Sequence, residues 1–173
     1  MEAVFYISAG VALLSTLMVI TRPSPVHALL YLIVSLLAIA VIFFVLGAPF
    51  VAALEVIIYA GAIMVLFIFV VMMLNVTPGA AEPLDRRLRR RAWIGPSLLG
   101  LVLLAELVYV FAWAKGSSTD ATPITPQEVG QSLFGPYMLG VEIASLLLLS
   151  GLIGAYHLGR REKRPAPSEG NQP

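Results

Sequence analysis

Five long apolar runs account for most of this 173-residue chain, and no other feature constrains its fold as strongly. They are Ala3 to Ile20, Val26 to Leu46, Phe50 to Leu74, Ala92 to Ala114 and Tyr137 to Leu158, with lengths of 18, 21, 25, 23 and 22 residues. A helix needs about 20 apolar residues to cross the hydrocarbon of a bilayer, because that layer is about 30 Å thick and each residue rises 1.5 Å. A bilayer offers no water to unpaired backbone groups, so spanning segments must close their own hydrogen bonds as helices or barrels. A barrel would alternate apolar and polar residues, and these runs do not. The expectation is an all-α integral membrane protein with five spans. Only 12% of the residues are charged, about half the share in a soluble domain, and a net charge of +1 gives no reason to expect nucleic acid as a partner.

The connections between runs are uneven. Thr21 to Pro25 is a tight turn with two prolines, so the first two helices form a hairpin. Gly47, Ala48 and Pro49 make a shorter, almost apolar turn. Asn75 to Arg91 and Lys115 to Pro136 are longer polar loops, and residues 161–173 read as a disordered basic and polar tail beyond a membrane domain of residues 1–160. The first run follows Glu2 rather than a basic segment and is long for the apolar part of a signal peptide, so it reads as a retained helix. With the N-terminus outside, ten of the eleven Lys and Arg residues fall on the cytoplasmic side: Arg22, the five arginines from Arg86 to Arg91, and Arg160, Arg161, Lys163 and Arg164. Only Lys115 falls outside, which is the bias that fixes orientation.

Three acids lie inside spans: Glu55, Glu106 and Glu142. A central charge costs roughly 2.5–3.5 kcal/mol on insertion scales, and such residues tend to face protein and to mark ion or proton paths. By this topology all three lie in the outer half of the membrane. Glu55 reads as a proton-carrying or water-organising group because of its neighbours. Glu106 and Glu142 read first as packing or interfacial acids, with a proton path as the alternative.

Ala48, Ala52, Glu55, Tyr59 and Ala62 recur at steps of four and three, a single stripe of the third helix where small residues allow close approach. Gly61 weakens that helix locally, whereas Val65 to Met73 is bulky and apolar throughout. A weak point between stiff halves is where a π-bulge or hinge forms. His27 begins the second helix and His157 ends the fifth, positions suited to capping or the surface rather than haem. With no cysteine there is no thiolate nucleophile, disulfide or cysteine-held cluster, and no nucleotide loop or metal spacing is present.

The segment Leu54 to Phe67, followed by Val70 to Asn75, resembles the signature of the subunit J family of proton-pumping NADH:quinone oxidoreductase, respiratory complex I, whose mitochondrial counterpart is chain 6. Pro25 to Leu32 is similar to the start of that family's second helix, and Leu133 to Tyr137, Glu142 to Leu149 and Gly154 to Leu158 to its last. The likeness covers residues 1 to 160, is weak in the long loops and fourth helix, and gives Glu106 no inherited role. The resemblance implies five helices with a periplasmic N-terminus and cytoplasmic C-terminus, in the inner membrane of a bacterium. It implies a third helix that switches between α and π geometry around Tyr59 and Gly61. That switch would make or break a water wire from the quinone-site side of the membrane arm to neighbouring proton channels.

In this reading Glu55 matches the family's acid one turn before the tyrosine, and Val65 and Phe67 move in or out of the gap as the helix turns. The chain itself carries no catalytic, cofactor or metal site. NADH, FMN, iron–sulfur clusters and quinone belong to the parent complex. The implied partners are the quinone-site subunit, the K-type subunit, the antiporter-like subunits and the lipid bilayer. Two rival expectations are a J-like subunit of a cation/proton antiporter or membrane-bound hydrogenase, and a purely structural membrane scaffold.

Overall fold

Prolines and one glycine set the boundaries of the first helices. In a computed structural model, which describes residues 1–74, 93–113 and 123–160, α1 runs from Glu2 to Thr21 and α2 from Pro25 to Val45. Pro25 occupies the first turn of α2, where a missing N–H costs nothing. The next turn needs Gly47, whose φ of 84° lies in the left-handed region that L side chains avoid. Its carbonyl accepts a hydrogen bond from the Ile124 N–H at 2.9 Å, which ties residue 124 to this turn. Pro49 then opens α3, Pro49–Leu54.

The third run does not continue as a plain α-helix. A π-helical segment, Glu55–Ile63, follows α3, and α4, Met64–Met73, completes the 25-residue rod. The β-branched residues of this rod weaken helices in water, yet a bilayer leaves the backbone no partner but itself. The fourth run gives α5, Ile94–Trp113. Every regular element among the described residues is a helix.

Residues Met1–Thr125 form one compact unit. Within it α1 and α2 pack as an antiparallel hairpin, α2 runs along all three parts of the third rod, and α5 packs on α2 and α1. Among the described residues the core has two apolar layers. Val11, Val34, Ala38 and Leu103 form one, and Val4, Val41 and Val110 the other. At the Thr21 end of α1, the Arg22 guanidinium lies 5.4 Å from the centre of the Tyr31 ring, within cation–π range. A Cβ at Gly95 would overlap the Tyr31 hydroxyl, so the glycine lets the Tyr31 ring lie where it does.

The second unit begins at Pro126. It holds α6, Pro126–Phe134, packed against α7, Met138–Gly159. The short α6 lies within the stretch 115–136 expected as loop. Pro126 starts it, and no further proline interrupts it before Pro136.

Among the described residues, four helices are long and apolar enough to span: Glu2–Thr21, Pro25–Val45, Pro49–Met73 and Met138–Gly159. The expected fourth span is represented by α5, whose apolar stretch is the shorter Ile94–Val110. The arginine cluster, Lys115 and the tail 161–173 lie outside the described residues.

Candidate functional site: the π segment of the third helix

Hydrogen bonding defines the site. The Glu55 N–H still bonds the Val51 carbonyl four residues back, as in an α-helix. The Met64 N–H reaches the Tyr59 carbonyl, five residues back. Between these points the rod takes in extra backbone. Such π turns are rare and occur often at functional sites.

The consequence is rotational. An α-helix turns 100° per residue, so Ala52 and Met64 would stand about 120° apart on an unbroken one. Taking in one extra residue brings them to within about 20°. Both are in fact buried, Met64 at 2% exposure. The alanine stripe read from the sequence is therefore split: Ala52 faces inward, Glu55 is half-buried, and Tyr59 and Ala62 are exposed. Tyr59 is 50% exposed and Val65 63%, and Phe67 is also open, so the expected gating residues lie on a face that this chain alone leaves uncovered.

Gly61 sits on the inner edge of the distortion. A Cβ built on it would lie 3.1 Å from the Val56 carbonyl oxygen, its neighbour five residues back. That carbonyl is the one a π turn brings beside residue 61.

An apolar cavity of about 380 Å³ flanks the segment, lined by Ala52 and Val56 of the third rod, Val41 and Phe44 of α2, and Leu103 and Leu107 of α5. Val56 and Leu107 place the neighbouring acids Glu55 and Glu106 at a common level, as their depths in the sequence suggest. The two acids are not brought together, because Glu106 turns toward α1, where Ser8 Oγ donates a hydrogen bond to it at 2.7 Å. Nothing in the spacing of the sequence names Ser8 as that partner, although Val4, Ser8, Val11 and Ser15 do share one helical stripe. Glu142 is exposed on α7, and the Ser145 hydroxyl bonds its backbone carbonyl.

His27 lies in the first turn of α2, its Nδ1 3.0 Å from Ser24 Oγ and its ring edge-on to Trp93. His157 is in the last turn of α7. No group of three His, Cys, Asp or Glu residues that could hold a metal occurs among the described residues.

These features define a multi-spanning helical membrane protein whose third rod is π-helical at its centre. The chain belongs to the NADH-ubiquinone/plastoquinone oxidoreductase chain 6 family, matched over residues 15–158. It is 58% identical to an NADH-quinone oxidoreductase subunit J of Pseudomonas aeruginosa over 95% of this chain and 99% of that one. It is 54% identical to the subunit J of Escherichia coli K12 over 94% of this chain and 89% of the relative. A more distant subunit J, from Rhodobacter capsulatus, is 38% identical over 92% and 81% of the two chains.

Proposed function

We propose that this chain is the gating membrane subunit of a proton-translocating NADH:quinone oxidoreductase, and that interconversion of α and π geometry at Glu55–Ile63 couples quinone reduction to proton movement. The observation that carries the proposal is the i to i−5 bond from Met64 to Tyr59, set in a chain of the chain 6 family. Losing the bulge turns α4 by roughly 100° relative to α3. Val65 and Phe67 then sweep across the face next to a neighbouring subunit, and the apolar cavity beside Val56 gives the rod room to repack. A hydrated path opens or closes at that face. The Tyr59 hydroxyl can donate and accept at the switch point, and Glu55 holds water or carries a proton there.

In this reading the subunit does no bond chemistry. NADH, FMN, iron–sulfur clusters and quinone are handled by other subunits, and a chain without cysteine has no thiolates to offer a cluster. Its partners are the quinone-site, K-type and antiporter-like subunits. Residues 1–160 form one membrane domain of five spans, N-terminus outside and C-terminus in the cytoplasm of a bacterium, oriented by the arginine excess.

Maps of the assembled enzyme at rest and during turnover test the switch. The Met64 N–H is expected to bond Tyr59 in one state and Ala60 in another. A single helix geometry in every working state overturns the proposal. Glu55→Gln is expected to keep the assembled complex and lower the number of protons moved per electron pair. Unchanged proton stoichiometry in membrane vesicles would reduce Glu55 to a packing residue.

A further inference from the structure

Glu106 is a buried acid that the third-helix mechanism leaves unused. It is 8% exposed, and Ser8, whose Oγ donates to its Oε2, is fully buried. Its other oxygen, Oε1, is buried without any hydrogen-bond partner.

The pair is sealed along the bundle axis. α1 and α5 run antiparallel, since Val4 clusters with Val110 and Val11 with Leu103. Ser8 lies roughly 6 Å along α1 from Val4 and roughly 4.5 Å from Val11, between the two apolar layers. Beyond the Val11 layer hydroxyls resume. Thr16 Oγ1 and Ser35 Oγ are 2.9 Å apart, and the fully buried Ser15 Oγ has no partner.

No cation is built into the surrounding helices to balance a carboxylate. Apart from Glu106, the charged residue of α1, α2 and α5 is Glu2 at the outer tip, with His27 at the first turn of α2. Tyr6 and Tyr109 are exposed, Tyr31 stacks with Arg22, and the third rod brings only Glu55. Burying a charge is costly unless it is paired and hydrogen-bonded, and one oxygen of this carboxyl has no hydrogen-bond partner.

We propose that Glu106 is a proton-binding site in its own right, separate from the third rod: a neutral carboxyl whose carbonyl oxygen, Oε2, is held by Ser8 and whose proton sits on Oε1. The valine layers keep water away at rest. When one layer parts, the Oε1–H bond breaks, the proton passes to a water oxygen and a carboxylate remains, with Ser8 still donating to it. The reverse transfer restores the acid. Ser15 and the Thr16–Ser35 pair provide the next polar stations toward the Thr21 end of the bundle.

Infrared difference spectroscopy of the assembled complex in membranes tests this. Wild type minus Glu106→Gln is expected to show the carbonyl stretch of one protonated carboxyl. In Ser8→Ala the band is expected to remain and rise in frequency, because the hydrogen bond to the carbonyl oxygen is lost. Transfer to D2O is expected to shift it slowly at rest and faster during turnover with NADH and quinone. If Glu106→Gln removes no such band, or the band exchanges at once at rest, the site is not a sealed proton store. If Glu106→Gln fails to assemble, Ser8→Ala decides alone, and an unmoved band overturns the assignment. The readout does not involve the third rod, so its failure is distinct from failure of the α/π mechanism.

Discussion

Replacing Gly61 by valine is expected to hold the third rod in its α form and abolish most coupled proton pumping in a complex that still assembles. A single methyl at this position already approaches the Val56 carbonyl oxygen to 3.1 Å, tighter than ordinary contact. Valine adds two further carbons with little freedom to turn away. Overpacking of this kind costs about 1–3 kcal/mol, and it is in the π geometry that this close approach is seen. A bias of that size moves a two-state equilibrium roughly 5- to 150-fold. Gly61→Ala has only the one methyl to accommodate and should give a smaller defect of the same sign. The check is proton uptake by inverted membrane vesicles, normalised to complex assembled on native gels and to quinone reduction. Normal pumping and normal quinone reduction in fully assembled Gly61→Val enzyme would refute the gate.

Much of this fold can be read from residue order because a bilayer removes the alternatives. Long apolar runs have to be helices there, and Pro25, Gly47 and Pro49 place the turns almost to the residue. The place of the π segment in the third rod is also marked, by Gly61 ahead of the bulky turns from Val65 to Met73. What periodicity misreads is the face of that rod. Counting at 3.6 residues per turn puts Tyr59 and Ala62 on the same side as Ala52, but the extra backbone taken in after Glu55 breaks the count and sends Met64 inward instead. A break in phase is invisible to any method that assumes a fixed period. Ser8 is hidden for a different reason. A serine in an apolar helix is unremarkable until a second helix, nearly a hundred residues later in the chain, sets a carboxyl against it. The short α6 is hard to see in the sequence because a nine-residue amphipathic helix among prolines looks, residue by residue, like a polar loop.

That break in phase yields the sharpest test of the mechanism. In the π form Met64 is the large side chain turned into the bundle, while Ile63 is exposed. Removing one residue from the bulge turns α4 by about 100°, so the inward slot passes from Met64 to the residue before it, Ile63. The two side chains thus stabilise opposite states. Truncating a buried methionine costs about 2–5 kcal/mol, so Met64→Ala is expected to shift the balance toward the α form by roughly 30- to 4,000-fold at 1.4 kcal/mol per tenfold. Ile63→Ala is expected to act in the other direction, because it removes burial that only the α form gains. Comparing the third helix in maps of both variants at rest reads this directly, with α geometry expected in Met64→Ala and π geometry retained in Ile63→Ala. Pumping should fall in both, since a gate fixed in either state cannot cycle. If the two substitutions instead weaken assembly alike and leave the helix geometry unchanged, the π segment is a fixed architectural feature of this rod, and its burial pattern carries no switching energy.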